Sequence, residues 1–437
     1  MSLADVSVDA CRRAIRAKNG EIRAVLSVLR EPERDSAAPP SAPLFGVPYV
    51  LKDCWDTGGI HTTGGSWRHR DRIPHESGPL HRALAKAGAV LLGKSNLSDL
   101  CFSPESDNHL IGATRNPFDL SRTAGGSTGG GAAAVATGMA AFDWGGDFGG
   151  SIRMPAACCG VTGLRLSQAA WPGTSEQFPR LSPFFLPMLG YGPLARTVGD
   201  CRVVMNALWP TLRAEVGTVT MKEDDAVIYA PDSKCTGEWP TFVADAAHAL
   251  MREGVRFEIA RTLPPPFAVN DLFNAYLSAH LDEFASTDEL PVREALPAVA
   301  MALASRGILD RRVHPNTAVL LALVQLGNLT LYRQKKRAAD DVAALRDAAH
   351  AVWKKGRLIV APTSTQSPPR LGRAYRAWTW QAYTKLGNLL DATSIAIPFG
   401  RFASGMPRSI QVLGPPGSES AVLALAERLE RAAAFTR

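Results

Sequence analysis

Two glycine-rich stretches decide the fold: Ala124–Gly138 reads AGGSTGGGAAAVATG, and Trp144–Leu164 reads WGGDFGGSIRMPAACCGVTGL. Around them, from about residue 80 to residue 170, helical patterns alternate with short apolar runs typical of buried strands. This alternation predicts an α/β fold in which helices cover a central sheet. The pattern returns in Gly356–Thr365 and Asp391–Gly400, so the later part of the chain is expected to complete that sheet.

The interval from about 210 to 355 differs, because its patterns are mostly helical, with Pro-rich loops and little glycine. We therefore predict a single domain over 1–437, with its core at about 45–200 and 356–437 and a variable helical segment at about 210–355 that interrupts the sheet. Residues 1–30 read as an amphipathic helix and not as a signal peptide, and the chain closes on another helix, SAVLALAERLERAA.

The composition is that of an ordinary globular protein: of 437 residues, 46% are hydrophobic and 20% are charged, with a formal net charge of +7. The densest basic run, Arg333–Arg337, is followed at once by acids, which indicates a solvated helix face and not a nucleic-acid patch. No apolar run approaches the roughly 18 residues of a membrane span. Cysteines without CxxC spacing and histidines without HxxxH or HExxH spacing predict reduced thiols, no metal and no cofactor in a cytoplasmic protein.

Two serines framed by glycine are candidates for covalent chemistry, Ser127 in AGGSTGGG and Ser151 in GGDFGGSIRMP. The glycines before Ser151 allow successive backbone N–H groups to converge without obstruction by side chains. Such a nest of donors suits the oxyanion that develops during acyl transfer, but a serine nucleophile also needs a base. The predicted donors are the backbone groups of Phe148, Gly149, Gly150 and Ser151.

Two kinds of base are compatible with these serines. Gly125–Gly129 satisfies G-x-S-x-G, the nucleophile elbow of α/β-hydrolases, which requires a preceding strand and a downstream histidine. The residues before it, NPFDLSRTA, are turn formers, which disfavours the elbow. The other candidate base is Lys52, at the end of the strand-like run FGVPYVLKD, where burial would favour the neutral amine. Taken alone, the position of Lys52 also fits an ion pair with Asp53 or Asp56. The histidines that the elbow would recruit are His248, His280, His314 and His350.

A third motif, GAVLLGKS at Gly88–Ser95, matches the phosphate-binding pattern G-x-x-x-x-G-K-[ST]. A phosphate-binding loop must curl so that its N–H groups converge, whereas Ala-Val-Leu-Leu follows a helical pattern with a glycine stop and reads as a buried strand. We therefore predict a strand and then a loop, with Lys94 a structural lysine at the strand end.

Seven segments resemble the amidase signature family, in consistent order over nearly the whole chain and weakly only at about 210–355. The resemblance implies an α/β/α sandwich around a mixed sheet and a Ser–cis-Ser–Lys triad. The segments are FGVPYVLKD with TTGGS, GAVLLGKSNLSDL, GATRNPFDLSRTAGGSTGGGAAAVATG, GGDFGGSIRMPAACCGVTGLR, GPLARTVGD, YTKLGNLLDATSIAIPFG and GMPRSIQVLG.

The resemblance also assigns roles. It implies that Lys52 is the base, that Ser127 relays the proton after a cis Gly126–Ser127 peptide, and that Ser151 is the nucleophile. Support of the loop is expected from Gly126, Thr128, Asp147 and Arg153. Three positions depart from the family pattern: Thr128 replaces a second serine, Phe148 brings a ring to the oxyanion loop, and Arg408-Ser409 replaces an apolar residue and glycine.

The function implied is that of a serine amidase that cleaves a small carboxylic amide or ester through an acyl-enzyme. Gln177–Gly190 is apolar and stiffened by proline, so it either lines a channel for a hydrophobic or aryl acyl group or packs on the core. The alternatives are acyl transfer to an amine in secondary metabolism, the amidase-like component of a tRNA-dependent amidotransferase, and a binding protein without catalysis. We expect no nucleic-acid partner and no membrane span, and a homodimer is compatible with the sequence.

Overall fold

The computed structural model describes residues 3–172, 177–214, 217–229, 239–260, 266–280, 313–330, 332–374, 377 and 379–433. The strands in this part of the chain are β1 (Val25–Glu33), β2 (Pro48–Lys52), β3 (Val90–Ser95), β4 (Arg115–Asn116), β5 (Asp119–Thr123), β6 (Phe142–Asp147), β7 (Thr162–Arg165), β8 (Gly190–Ala195), β9 (Asp225–Tyr229), β10 (Arg256–Ala260), β11 (Leu358–Pro362), β12 (Thr393–Arg401) and β13 (Pro407–Gly414). The α-helices are α1 (Val8–Ile22), α2 (Pro79–Lys86), α3 (Gly129–Thr137), α4 (Arg153–Cys159), α5 (Val198–Leu212), α6 (Trp239–Arg252), α7 (Pro266–Ala279), α8 (Pro315–Thr330), α9 (Tyr332–Trp353), α10 (Ala382–Leu389) and α11 (Glu419–Ala432).

An 11-stranded sheet runs through the molecule in the order β1-β3-β2-β6-β8-β7-β12-β13-β11-β9-β10, while β4 and β5 form a separate pair. The sheet is mixed: β2 is parallel to β3, whereas β6 is antiparallel to β8 and β12 is antiparallel to β13. This confirms the predicted α/β class with a mixed central sheet.

Helices cover both faces of this sheet. Side chains alternate between the faces of a strand, and in β2 Val50 joins one hydrophobic cluster while Tyr49 and Leu51 join another. The cluster around Val50 includes buried residues of α1, α3 and α4, and the cluster around Leu51 includes buried residues of α2, α5 and α11. The predicted layering of helices, sheet and helices is therefore observed. Lys52 ends β2, Ser151 follows the end of β6, and Ser127 precedes α3.

The prediction of one N-terminal helix over residues 1–30 was wrong beyond Ile22. Arg23 adopts a left-handed conformation (φ 57°) and ends α1, and the Asn19 side chain bonds both the backbone N–H and the carbonyl of Val25. The chain then enters β1, which pairs antiparallel with β3 at the edge of the sheet. Pairing with that edge overrides the helical pattern of the sequence, because the sheet supplies partners for backbone groups that a lone helix end leaves unsatisfied.

The prediction that the interval 210–355 only interrupts the sheet was also wrong in part. It contributes β9 and β10, which pair with each other in parallel, and β9 also pairs with β11 to extend the sheet. The rest of its described length is largely helical, as predicted, while residues 281–312 lie outside the described part. Within the described ranges, no helix is both long and apolar enough to cross a membrane.

Candidate active site

Lys52 and Ser127 meet in the interior. Lys52 is the last residue of β2 and only 1% exposed, and its Nζ donates a 2.7 Å hydrogen bond to Ser127 Oγ. Ser127 follows a cis Gly126–Ser127 peptide in the loop that leads into α3. A Cβ atom at Gly126 would lie 2.6 Å from both the backbone nitrogen of Glu105 and the backbone oxygen of Ser103, so this turn admits glycine alone.

Ser151 lies in the same pocket, in the loop between β6 and α4. The two serine loops are joined through the backbone, since Thr128 N–H donates to the Ser151 carbonyl at 3.1 Å. Among the described residues, no hydrogen bond joins the hydroxyls of Ser127 and Ser151. The structure therefore brings all three predicted triad residues to one pocket, with the Lys52–Ser127 contact formed and Ser151 beside it.

The predicted oxyanion donors divide into two groups. The Gly150 N–H already donates to Asp147 Oδ1 at 2.8 Å, so it is not available to a substrate oxygen in this conformation. The amides of Phe148, Gly149 and Ser151 donate to no group among the described residues. Gly150 instead shapes the turn: its φ is +119°, and a Cβ there would lie 2.1 Å from Thr384 Oγ1.

A buried ion pair holds this loop from behind. Asp147 and Arg153 are both fully buried, and Arg153 bonds the carboxylate through Nε at 3.0 Å and Nη2 at 2.9 Å. Arg153 also donates to Gln411 and Asn388, while the Asp147 carboxylate accepts from the amides of Gly150 and Ile152. Burial alone would raise the pKa of Asp147, but the charge and hydrogen bonds of Arg153 hold it well below its ordinary value. Asp147 and Arg153 thus have the loop-supporting contacts that the sequence predicted.

The pocket above these groups is mostly apolar. Its walls include Phe102, Phe148, Leu181, Phe273, Leu277 and Trp380. The segment Gln177–Gly190 contributes to both the pocket and the core, because Leu181 and Leu189 line the pocket while Phe185 packs in the core. Of the departures from the family pattern, Phe148 lines the pocket, whereas Arg408 does not and instead pairs with Asp245.

Comparison with known proteins identifies the family. A profile of the amidase family matches residues 21–423. The chain belongs to the amidase signature family. AmiB2 of Mycobacterium bovis, an amidase by name, is 30% identical over 423 residues, which cover 89% of this chain and 82% of that protein. The amidase is accordingly a hydrolase of carbon–nitrogen bonds.

Other relatives share the fold of this amidase. A glutamyl-tRNA(Gln) amidotransferase component of Caldanaerobacter subterraneus is 28% identical over 421 residues, covering 90% of this chain and 84% of that protein. Among solved structures, 6-aminohexanoate cyclic dimer hydrolase superposes with a TM-score of 0.75 at 23% identity, covering 100% of this chain and 94% of the other. A bacterial aryl acylamidase superposes with a TM-score of 0.73 at 22% identity, with the same coverage.

The alternative partners of Lys52 are engaged elsewhere in the amidase. Asp53 Oδ2 accepts from the backbone N–H and the hydroxyl of Thr63, and Asp56 forms a two-pronged ion pair with Arg72. Among the described residues lining the pocket there is no histidine. A nucleophile elbow at Ser127 would therefore have no histidine base among the described residues of the pocket. A strand does precede Ser127, because β5 ends at Thr123, although the turn-forming residues had not suggested a strand there.

The phosphate-loop pattern is a strand, as predicted. Val90–Ser95 is fully buried, and Leu51 of β2 pairs with Lys94. The Lys94 ammonium donates to the Trp55 carbonyl at 2.5 Å, to Thr57 Oγ1 at 2.9 Å and to Thr62 Oγ1 at 3.2 Å. These contacts match the structural role expected of Lys94.

Sequence reasoning missed two residues on the segment YTKLGNLLDATSIAIPFG, one behind the oxyanion loop and one in the pocket wall. Thr384 Oγ1 donates to the Gly149 carbonyl at 2.9 Å and so braces the oxyanion loop. Lys385 is the next residue and lines the pocket. The family resemblance covered this segment, but a lysine inside a helical pattern carried no signal that it would face the pocket and not solvent.

Proposed function

We propose that this amidase cleaves a carboxylic amide through an acyl-enzyme on Ser151, with Lys52 as the base and Ser127 as the proton relay. The observation that carries the proposal is the 2.7 Å hydrogen bond between Lys52 Nζ and Ser127 Oγ at the floor of the pocket that Ser151 lines. An amine and two hydroxyls in one pocket are the groups that a serine nucleophile requires in the absence of a histidine base.

Lys52 is suited to act as a base because of where it lies. It is 1% exposed, and none of the described carboxylates forms an ion pair with it. A lysine accepts a proton only as the neutral amine, and the Lys52 nitrogen already contacts the hydroxyl whose proton it would take. The neutral amine takes the Ser127 proton as Ser127 takes the proton of Ser151.

The reaction then proceeds at the glycine loop. Ser151 Oγ attacks the amide carbonyl, and the tetrahedral oxyanion is stabilised by the free N–H groups of Phe148, Gly149 and Ser151. The ammonium of Lys52 returns its proton through Ser127 to the leaving nitrogen, and the carbon–nitrogen bond breaks. A water molecule attacks the ester by the same relay and releases the acid and free Ser151.

The acyl group is proposed to be aryl or alkyl. Phe148 forms edge-to-face contacts with Phe185 and Phe273, at centroid distances of 5.9 and 5.8 Å, and two of these three rings line the pocket. Such walls favour a ring or an alkyl chain, since apolar surface is buried on both sides. A bacterial aryl acylamidase shares this fold, and the aryl group in that name is one that such apolar walls would also accommodate.

A fluorophosphonate probe and a set of acyl anilides test the proposal. The wild-type enzyme is expected to take up one probe molecule per chain and to hydrolyse at least one anilide, and Ser151→Ala is expected to lose both activities. Ser103→Ala is the matched control, because Ser103 lines the same pocket but has no proposed role in the reaction. Stoichiometric labelling of the Ser151→Ala variant would overturn the assignment of the nucleophile.

A further inference from the structure

The pocket contains a second lysine, which the proposed reaction does not use. Lys385 lies in α10, directly after Thr384, and its side chain is half-buried in the pocket wall. Its Nζ donates to Asn270 Oδ1 at 2.7 Å and to Asn274 Oδ1 at 3.4 Å, and it lies 4.8 Å from the centre of the Phe273 ring. All three of these neighbours belong to α7.

This ammonium has neutral hydrogen-bond partners but no counter-ion. Among the described residues, no carboxylate forms an ion pair with Lys385. Among the described residues, the acid whose charge acts on Lys385 is Asp271, and its side chain is exposed to solvent. A lysine has three N–H donors, and the two asparagine oxygens occupy two of them, which leaves one for a group in the pocket.

Burial makes this arrangement costly without a ligand. It lowers the pKa of Lys385 to about 7, and the charge of Asp271 only partly opposes that shift. A protein normally pairs a cation in such a position, because transfer of a charge from water to a low-dielectric site is unfavourable. An anionic ligand would supply the missing partner.

Lys385 lies close to the oxyanion loop, so an anion bound to it would lie near the reacting groups. Thr384 bonds the carbonyl of Gly149, and a Cβ atom at Gly149 would lie 3.5 Å from Phe273 Cζ. Phe273 thus packs near both the oxyanion loop and Lys385, so an anion at Lys385 would lie in the same part of the pocket as the scissile carbonyl.

We propose that Lys385, held by Asn270 and Asn274, binds a carboxylate that the substrate carries at a distance of a few bonds from the scissile amide. The proposal rests on the proposed function in one respect, namely that the bond to be cleaved lies at Ser151. It makes the substrate of this amidase an amphipathic one: an apolar body between the phenylalanine rings, with an acidic end at Lys385.

The carboxylate has two chemical sources, the acyl group and the amine. The acyl-side probes are the succinyl, glutaryl and adipoyl anilides, each compared with the neutral alkanoyl anilide of the same chain length. The amine-side probe is N-pentanoyl-4-aminobenzoate, compared with pentanoyl anilide. Binding to the Ser151→Ala variant, measured by calorimetry, keeps every probe intact during the titration.

At least one carboxylated probe is expected to bind about 10- to 100-fold more tightly than its neutral counterpart, as a charge-assisted hydrogen bond in a partly dry site would give. Adding Lys385→Met is expected to bring that ratio of affinities to about one, while the affinity for the neutral probe changes by no more than a few-fold. Adding Lys385→Arg is expected to retain most of the ratio. Lys222→Met, which removes an exposed lysine outside this pocket, controls for net charge.

Two results would overturn the proposal: no carboxylated probe that binds more tightly than its neutral counterpart, or a ratio that survives Lys385→Met. Equal weakening of both members of each pair would also contradict it, because that is the signature of a merely structural residue. These outcomes are independent of the fluorophosphonate experiment, so failure of the carboxylate site and failure of the Ser151 assignment can be told apart.

Discussion

Lys52 and Lys94 lie on neighbouring parallel strands and are both buried, yet their surroundings differ. Lys94 is 0% exposed and its ammonium is surrounded by three oxygen acceptors, from Trp55, Thr57 and Thr62. In the part of the chain that the structure describes, the Lys52 amine has one hydrogen-bond partner, the Ser127 hydroxyl, and it borders the pocket. Lys94 pairs with Leu51, the residue before Lys52, so the two side chains lie on opposite faces of the sheet.

The difference teaches that burial alone does not make a lysine reactive. Burial lowers the pKa of Lys94, while the charge of Asp53 opposes that shift, but every donor of Lys94 is already satisfied within the fold. Lys52 has donor capacity left and a hydroxyl that leads toward the pocket. A short motif such as GKS therefore points to Lys94, whereas the hydrogen bonds of the two lysines point to Lys52 as the candidate base.

The largest expected effect is that of Lys52→Met on turnover. Removal of the base should reduce kcat/KM for an anilide by at least about 10³-fold, since general base catalysis and nucleophile activation are lost together. The melting temperature should change little, because a single hydrogen bond to Ser127 is removed and a methionine fills similar space. Steady-state kinetics and a thermal melt of the same sample check both statements.

Lys94→Met should show the opposite pattern. Three buried oxygens lose their donor, which is expected to cost about 1–3 kcal/mol of the free energy of unfolding. The folded fraction should retain most of its turnover, because Lys94 lies on the other face of the sheet. A variant that melts like the wild type but has lost its activity would break the distinction between the two lysines.

A smaller effect is expected from Asp143, a buried carboxyl that accepts a hydrogen bond from Ser95, the residue after Lys94. Burial raises its pKa to about 7, although the hydrogen bond from Ser95 and the charge of Lys94 act to lower it. A folded-state pKa above the unfolded value means that this group stabilises the fold at low pH and that the contribution is lost as pH rises toward 7. The melting temperature of the wild type should therefore fall relative to that of Asp143→Asn between pH 5 and 8. A constant difference across that range would contradict the shift.

Much of the fold could be predicted from the sequence, because its signals are local. Val90–Ser95 and Pro48–Lys52 each contain a short apolar run and form buried strands, and the closing helix Glu419–Ala432 has a clear helical pattern. The predictions that failed concern segments whose structure depends on pairing with strands far away in the sequence. Val25–Glu33 continues a helical pattern, yet the open edge of β3 makes it a strand. The strand Asp225–Tyr229 similarly depends on pairing with β11, which lies more than a hundred residues later.

The candidate site could likewise be predicted from the sequence only in part. The glycines around Ser127 and Ser151 and the strand end at Lys52 are visible in the sequence, and the structure places those residues together. The sequence does not show which backbone N–H groups of the oxyanion loop are available to a substrate. The Gly150 N–H donates to Asp147 only when the loop has folded around the ion pair of Asp147 and Arg153. Lys385 was missed for a related reason: its neighbours Asn270 and Asn274 are more than a hundred residues earlier in the chain.

The most direct test of the central claim is to trap the acyl-enzyme and identify its site by peptide mass spectrometry. The wild-type enzyme, quenched in acid within milliseconds of mixing with a p-nitrophenyl ester or a turned-over anilide, should carry one acyl group, on Ser151. Lys52→Met should accumulate none on the same timescale. An acyl group on another residue, such as Cys101 in the same pocket, or turnover without any covalent intermediate, would contradict the account.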